Sequence, residues 1–454
     1  MEDATDILAA MARGERSAEQ VVRAHLERID ALNPAFNFAT GILADRALAM
    51  ARSPRPGPLS GLPVTIKEHI QIEGLPVTFC STRARPVPAA ARSAAVVRRL
   101  EAAGAIPIAR TNMSEMTIGP ESDNLRFGLT RNPLDPTRTA GGSSGGEAAA
   151  VACGASAAGI GSDIGGSIRY PAHCCGVVGF KPAAAAVDKD GVLPDMGDLF
   201  SDRFLALGPL TRSVRDARLL YSVIAHTPPA PLHPRTPRLL IPEGLPTLTR
   251  EPCVADAARA AARALEASGA IPEAFALPEA DQISWDYADL VFRDVERASR
   301  AAIDDPTPLN LAAELWRQAM GRPTVTTFVL ALLIGAAARR PWLRGAEQAE
   351  GRLMALRTQV HERLGSDGIL VMPTTGELAP PHGDLARRLM SPRTRRIYLG
   401  QLLHNALDLP CISVPARALA DPGGLVPGVS LACAPGAEGA LFLAAEIVEA
   451  ALAR

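Results

Sequence analysis

Two serines in glycine-rich segments are the residues whose types and spacing point most directly to chemistry. Ser143 lies within Gly141–Gly146, and Ser167 directly follows Gly165 and Gly166. A serine that attacks a carbonyl needs a group that takes its proton and backbone N–H groups that hold the resulting oxyanion. Glycine lets the backbone approach a ligand closely. The two segments therefore predict part of a serine hydrolase, although no histidine stands in an evident triad context.

Other uses of glycine-rich loops fit these segments less well. Neither segment ends in the Gly-Lys-Ser/Thr of a phosphate-binding loop, and neither has the G-x-G-x-x-G spacing of a dinucleotide site. The G-x-S-x-G elbow of α/β-hydrolases is also missing around Ser167. Consecutive N–H groups from Ile164 to Ser167 are predicted to converge on an oxyanion. Taken alone, a plain glycine turn explains the segment about equally well.

The candidate for the missing base comes from an unusual composition. The chain contains only three lysines, Lys67, Lys181 and Lys189, and the other 44 of its 47 basic residues are arginine. Because arginine keeps its proton at working pH, it cannot replace a lysine that acts as a base. Lys189 lies between two aspartates and is best explained by chance. Lys67 ends a predicted strand, and burial would lower its pKa from the usual value of about 10.4.

Charge and cysteine content exclude several classes of protein. The formal net charge of −1 gives no strong field for nucleic acid, so we expect no nucleic-acid partner. Seven cysteines without a C-x-x-C pair argue against a disulfide framework or zinc site. The acidic start, Met1–Asp6, has no apolar core, so we expect no secretion signal and a cytoplasmic location. The longest uncharged apolar run, Phe328–Ala338, has 11 residues, whereas a membrane span needs about 20.

The elements that must position the candidate residues alternate between short apolar strands and helices. Leu62–Ile66 is predicted to be a strand that ends at Lys67. Gly146–Cys153 is a small-residue helix, Ala155–Ile160 is a buried strand, and a helix or turn follows Ser167. This alternation is typical of an α/β fold with a mixed or largely parallel sheet.

Length alone would suggest about three domains, but a single α/β domain can absorb 454 residues. We expect one large domain over residues 1–454, with a mixed β-sheet flanked by many helices. The motif-rich core covers about residues 55–225, and residues 245–365 are mostly helical and carry no chemistry that the sequence reveals. Further predicted elements are the helices at 18–32, 95–103, 214–225 and 440–452, and the strands at 105–109, 238–241, 369–372, 412–414 and 428–432.

Several motifs, in order along the chain, carry a resemblance to a known family. The chain resembles the amidase signature family, which comprises serine amide hydrolases with a Ser-Ser-Lys triad. The motifs that carry it are Gly61–Lys67, Thr111–Glu115, Arg131–Pro133, Gly141–Gly146, Gly161–Arg169, Gly176–Pro182 and Gly208–Arg212. The resemblance is dense from about 55 to 225, patchy near the C-terminus and absent from about 245 to 365.

The resemblance implies a role for each candidate residue. Ser167 would be the nucleophile, Ser143 the bridging serine that relays the proton, and Lys67 the general base and acid. The peptide bond Gly142–Ser143 would be cis.

The resemblance also implies the surroundings of the reacting atoms. Ile164, Gly165, Gly166 and Met113 would form the oxyanion hole and bind substrate. The chemistry needs no metal and no cofactor. The partner would be a small-molecule amide, and a homodimer stays open.

Departures from the family pattern leave the substrate undefined. Glu68-His69 follow Lys67 where the family commonly has aspartate and asparagine, and Ala183–Ala186 replaces a stretch that often carries tyrosine, glycine and arginine. We expect an amidase that hydrolyses a carboxylic amide to an acid plus ammonia or amine. The alternatives are the glutaminase subunit of a tRNA-dependent amidotransferase and a non-catalytic binding protein that retains the fold. Ester cleavage or acyl transfer is a closer variant of the first function.

Overall fold

The computed structural model describes residues 1–84, 87–195, 197, 199–229, 237–243, 249–277, 280–302, 309–339, 346–388 and 391–453. Within these ranges eleven strands form one sheet. The strands are β1 Ala39–Ile42, β2 Pro63–Lys67, β3 Ile106–Thr111, β4 Ala158–Asp163, β5 Val178–Lys181, β6 Ala206–Thr211, β7 Arg238–Glu243, β8 Pro272–Ala276, β9 Gly368–Pro373, β10 Cys411–Pro415 and β11 Gly428–Ala432.

Helices cover this sheet. In the same described ranges they are α1 Ala4–Ala12, α2 Ala18–Phe36, α3 Ala44–Arg52, α4 Ala95–Ala102, α5 Gly145–Ala152, α6 Arg169–Cys175, α7 Val214–Ile224, α8 Pro252–Ala267, α9 Ala280–Ala302, α10 Leu311–Ala319, α11 Thr327–Arg339, α12 Ala346–Leu364, α13 Asp384–Arg388, α14 Pro392–Ala406 and α15 Glu438–Ala451.

The sheet is mixed, and the order of its strands decides which loops meet. The order is β1-β3-β2-β4-β6-β5-β10-β11-β9-β7-β8. β2 pairs in parallel with both β3 and β4, whereas β4, β6, β5, β10, β11 and β9 pair successively in antiparallel fashion. Because β2 and β4 are parallel neighbours, Lys67 and the loop that follows β4 lie at the same edge of the sheet. The predicted α/β fold with a mixed sheet is confirmed.

Both faces of the central strands are buried, which explains their nearly continuous apolar and small residues. Every residue of β2, β3 and β4 is buried. Helices α4, α7 and α15 contribute to the core on one side, and α2, α5 and α6 to a second core cluster. Helix α2 begins with a capping box, in which Ser17 accepts from the Gln20 N–H and Gln20 accepts from the Ser17 N–H.

Most predicted elements are found, with two instructive differences. β4 begins at Ala158 rather than Ala155, because Ala155 completes the C-terminal cap of α5. The Ala155 N–H donates to the Ala150 carbonyl and the N–H of left-handed Gly154 to Val151, which is a Schellman motif. The largely helical region 245–365 also contains the unpredicted β8, an edge strand whose residues are mostly exposed.

The apolar run Phe328–Ala338 forms most of α11. Side chains between Phe328 and Ile334 belong to an apolar cluster in which Val329 and Leu330 are buried together with Phe79 and Met116. Among the described residues, no helix is both long and apolar enough to cross a membrane.

An aromatic cluster under the sheet gives a test of this core. Phe442 is fully buried, with its ring 4.9 Å from that of Phe180 and 6.2 Å from that of Tyr221. We expect Phe442→Ala to lower the free energy of unfolding by about 3–5 kcal/mol, since it leaves a cavity. The exposed Leu315→Ala should change it by less than about 0.5 kcal/mol. Urea unfolding of both variants measures this; equal effects would show that Phe442 contributes nothing particular to the stability of the core.

Candidate active site

Lys67 is the last residue of β2, and its side chain is fully buried. Its Nζ lies 2.7 Å from Ser143 Oγ and 3.0 Å from Ser162 Oγ. Ser162 is on the parallel neighbour β4, so the pairing of the two strands sets this second contact. The structure therefore brings together two of the three residues to which the resemblance gives catalytic roles, Lys67 and Ser143.

The burial of Lys67 changes its proton affinity. Removal of the ammonium from water lowers the pKa of Lys67 to about 7. The charges of Asp163 and Glu147, and Cys80 nearby, oppose this shift without cancelling it. A large fraction of the amine is consequently uncharged near neutral pH, as a base requires.

Ser143 lies in the loop that leads into α5. The Gly142–Ser143 peptide bond is cis, as the resemblance implied. The Ser143 carbonyl accepts from the Ser114 N–H at 3.3 Å and from the Ser122 hydroxyl at 3.3 Å. These contacts anchor the backbone of the loop, while the Ser143 hydroxyl lies against the Lys67 amine.

Ser167 lies in the loop between β4 and α6. It is half-buried, whereas Ser143 and Lys67 are buried, so Ser167 is the member of the three that is open to solvent. The Ser144 N–H donates to the Ser167 carbonyl at 3.2 Å, which ties the two serine loops together. The arrangement suits a nucleophile that meets substrate at the surface and a base that stays shielded from water.

The loop before Ser167 differs from the prediction in one respect. The Gly166 N–H donates to Asp163 Oδ1 at 2.8 Å, so in this conformation it is committed within the loop. The N–H groups of Gly165 and Ser167 bond with no acceptor in the part of the chain that the structure describes. Gly166 has φ +104°, and a Cβ there would collide with the side chain of Gln401. In this conformation Gly166 is therefore not among the N–H groups that can hold an oxyanion, whereas Gly165 and Ser167 are.

A buried ion pair braces the same loop. Arg169 Nη2 lies 3.0 Å from Asp163 Oδ1, and both side chains are fully buried. Burial alone would raise the pKa of Asp163, but the charge and hydrogen bonds of Arg169 hold it well below its usual range. Asn405 Nδ2 also donates to Asp163 Oδ1 at 3.0 Å. The contacts of Asp163 with Arg169 and Asn405 thus brace the loop that precedes Ser167.

The other residues predicted to bind substrate lie in different settings. Ile164 is half-buried, and its carbonyl accepts from the Tyr287 hydroxyl at 2.6 Å. Met113 is fully buried, its N–H donates to Asn112 Oδ1 at 3.0 Å and its carbonyl accepts from Asn124 Nδ2 at 2.9 Å. A contact of Met113 with substrate stays a prediction.

Sequence reasoning missed several residues around Lys67. The Glu147 carboxyl is buried and accepts from Thr65 Oγ1 and from Thr111 Oγ1, the latter at 2.7 Å. Burial raises the pKa of Glu147 to about 8. His69 and Ser162 are hydrogen-bonded to one another at 2.9 Å. The one available signal for Ser162 was its place in the Gly161–Arg169 motif, which also contains Ser167.

Comparison with known proteins decides the family. The amidase family model matches residues 20–442. The chain belongs to the amidase signature family. Amide hydrolases and amidase structures among its relatives make this family member a hydrolase acting on amide C–N bonds.

Two curated relatives show how far the similarity extends. The indoleacetamide hydrolase of Bradyrhizobium diazoefficiens is 31% identical over 436 residues, which cover 91% of this chain and 80% of that protein. One component of the glutamyl-tRNA(Gln) amidotransferase of Gloeobacter violaceus is 41% identical over 227 residues, or 48% of this chain and 45% of that component. The chain therefore matches less than half the length of the amidotransferase component.

Solved structures share the whole fold. The 6-aminohexanoate cyclic dimer hydrolase in complex with its substrate has a TM-score of 0.83 at 26% identity, with 100% of this chain and 98% of that chain covered. An amidase crystal structure has a TM-score of 0.80 at 28% identity, with 99% and 100% covered.

The lowered pKa of Lys67 predicts a pH dependence. If Ser167 is activated through the uncharged amine, its rate of reaction with a fluorophosphonate should rise with pH and level off above about pH 7. Below that value the rate should fall about tenfold per pH unit, because the amine becomes protonated. The measurement is the second-order labelling rate from pH 5 to 10. A rate that keeps rising to pH 10 would contradict the assignment.

Proposed function

We propose that the protein hydrolyses a carboxylic amide to an acid plus ammonia or amine through an acyl-enzyme on Ser167. One observation carries the proposal: the amine of Lys67 is buried, has a pKa of about 7 and lies 2.7 Å from the Ser143 hydroxyl. A buried, largely uncharged amine in contact with a serine is suited to general-base catalysis. The hydrogen bond from the Ser144 N–H to the Ser167 carbonyl, which joins the two serine loops, supports including Ser167 in the same site.

In the first half-reaction Ser167 Oγ attacks the amide carbonyl. Its proton passes to Ser143 Oγ while the Ser143 proton passes to Lys67 Nζ. The carbonyl oxygen becomes an oxyanion that free N–H groups of the Ile164–Ser167 loop stabilise. The C–N bond then breaks, the nitrogen takes a proton from Lys67 through Ser143, and the amine leaves an acyl group on Ser167.

In the second half-reaction water attacks the acyl-enzyme. Ser143 and Lys67 remove the proton of the water by the same path, and the tetrahedral intermediate collapses to release the acid. The proton returns to Ser167 Oγ, which restores the starting state. Each proton that Lys67 takes up is given back within the cycle, so no net charge accumulates at the buried site.

The extent of the similarity favours a self-sufficient amidase over one component of an amidotransferase. The match to the indoleacetamide hydrolase runs along nearly the whole chain, whereas the match to the amidotransferase component covers about half of it. Apolar side chains, including Leu402 against Gly165, lie beside the Ser167 loop. Indoleacetamide is therefore the first substrate to test, within a panel of short aliphatic, aryl and long-chain amides. Glutaminase activity that appears only with partner proteins would support the alternative.

The identity of the nucleophile can be tested without a known substrate. Reaction with a fluorophosphonate should add one adduct, which peptide mass spectrometry should place on Ser167. Ser167→Ala should abolish both the adduct and amide hydrolysis, while Ser222→Ala, on the outer helix α7, should leave both unchanged. Labelling at another residue, or full activity of Ser167→Ala, would refute the assignment.

The role of Lys67 predicts that arginine cannot replace it. Lys67→Arg should reduce amide hydrolysis almost as much as Lys67→Ala, by at least about 100-fold, because a guanidinium keeps its proton. Lys189→Arg, at the half-buried ion pair with Asp202, is the matched control and should be near normal. Near-normal kcat for Lys67→Arg, with folding verified by circular dichroism, would show that Lys67 is not the base.

Three further points belong to this proposal. The cytoplasmic location stays a prediction from composition, and so does the assignment of residues 1–454 to one domain. A homodimer also stays open, and sedimentation of the purified protein would decide it.

A further inference from the structure

His69 lies two residues beyond Lys67, and its buried ring is hydrogen-bonded at both nitrogens. Nδ1 is 2.6 Å from the Leu193 carbonyl, and Nε2 is 2.9 Å from Ser162 Oγ. A carbonyl oxygen only accepts, so Nδ1 carries the hydrogen and donates it to Leu193. In a neutral ring Nε2 is then the acceptor, and it receives the Ser162 hydroxyl hydrogen. Burial lowers the pKa of His69 to about 3, consistent with a neutral ring.

This direction fixes the contact between Ser162 and Lys67. A hydroxyl has one hydrogen, and that of Ser162 is used on His69. The 3.0 Å contact must therefore be a bond from Lys67 Nζ–H to Ser162 Oγ. An uncharged amine has two hydrogens and one lone pair. Because one hydrogen is held at Ser162, the lone pair cannot be occupied there and stays available on the side of Ser143, 2.7 Å away.

We propose that His69 is a positioning residue that acts through Ser162 to keep the lone pair of Lys67 available to Ser143. The inference rests on the proposed role of Lys67 as the base. The chain of donors runs from Ser143 to Lys67, to Ser162, to His69 and finally to the Leu193 carbonyl. Each hydroxyl or N–H in it has one acceptor, so the base is oriented before substrate arrives.

Loss of the acceptor on His69 has a defined consequence. The Ser162 hydroxyl hydrogen is then free to turn toward Lys67 and donate to its lone pair. Ser162 competes with Ser143 for the base, which slows proton transfer from Ser167. The same bond stabilises the uncharged amine over the ammonium, so the pKa of Lys67 falls. The signature of this role is thus a slower reaction combined with a shift of the acid limb, the part of the pH–rate profile where the rate falls at low pH, to lower pH.

Other charged and titratable groups face the two side chains. Asp163 of β4, Glu147 of α5 and Cys80 act on Lys67, and Lys67 itself and Arg110 of β3 act on His69. All of these groups are retained when only His69 or Ser162 is replaced. A difference between such variants in the pH of the acid limb therefore reports the direction in which the Ser162 hydroxyl donates its hydrogen.

The first experiment compares His69→Phe with His69→Gln. Phenylalanine fills the space without an acceptor, whereas the glutamine side-chain oxygen can accept from Ser162. We expect the fluorophosphonate labelling rate of Ser167 to fall about 10- to 100-fold in His69→Phe, with its acid limb moved to lower pH. His69→Gln should recover most of the rate and the normal limb. An unchanged rate in His69→Phe, or equal losses with an unmoved limb, would overturn the proposal.

A double-mutant cycle tests whether His69 acts through Ser162. Ser162→Ala should itself slow labelling, and adding His69→Phe to it should cost less than about twofold more, since the intermediary is already gone. Fully additive losses would overturn the proposal, and thermal unfolding of each variant identifies folding defects. If His69→Phe fails to fold, the labelling rates of His69→Gln and Ser162→Ala still test the proposal. The rate should be near normal in His69→Gln and reduced in Ser162→Ala. Unimpaired labelling of Lys67→Ala would instead refute the proposed function, which separates the two failures.

Discussion

The amine of Lys67 lies in the interior of the sheet, where a charge is costly, and the rest of the site depends on this placement. An ammonium that leaves water without a paired anion loses several kcal/mol of solvation. The chain meets that cost by a lowered pKa and by hydroxyl partners, Ser143 and Ser162, instead of a carboxylate in direct contact. The same burial that makes a lysine unfavourable in the core makes it a competent base near pH 7.

Two buried carboxyls near Lys67 oppose the lowering of its pKa without cancelling it. Glu147 accepts from Thr65 of β2 and Thr111 of β3, and burial raises its pKa to about 8, so near neutral pH it is largely protonated and carries little charge. Asp163 is ionised, but its charge is paired with the guanidinium of Arg169. Both carboxyls still raise the pKa of Lys67, but by less than burial lowers it, so a large fraction of the amine stays uncharged near neutral pH.

The sheet topology supplies the geometry that this chemistry needs. Parallel pairing of β2 with β4 places Lys67 beside Ser162, and the loop that leaves β4 continues to Ser167. Helix α5 begins at Gly145 directly after the Ser143 loop, and a Cβ at Gly146 would collide with Asn112. The small residues of this segment are thus explained by close packing of backbone against backbone as well as by chemistry.

Much of this arrangement could be predicted from sequence, and the failures have physical causes. Glycine-rich segments, lysine scarcity and ordered motifs pointed to Lys67, Ser143 and Ser167, since local patterns mark such loops. The Ser162–His69 bond could not be predicted, because it depends on which strands are neighbours and on the distant Leu193 carbonyl. β6 was missed because Gly208 and Pro209 interrupt its apolar pattern, yet pairing with β4 and β5 overrides that local preference.

The protonation of Lys67 can be observed directly because the chain has only three lysines. Protein grown with lysine labelled with ¹³C at Cε should give three resonances, assigned by Lys67→Arg, Lys181→Arg and Lys189→Arg. Titration of the chemical shift then reads each amine without substrate or inhibitor. The account predicts that the Lys67 resonance titrates with a pKa of about 7. A Lys67 resonance that keeps its protonated shift up to pH 10 would contradict it.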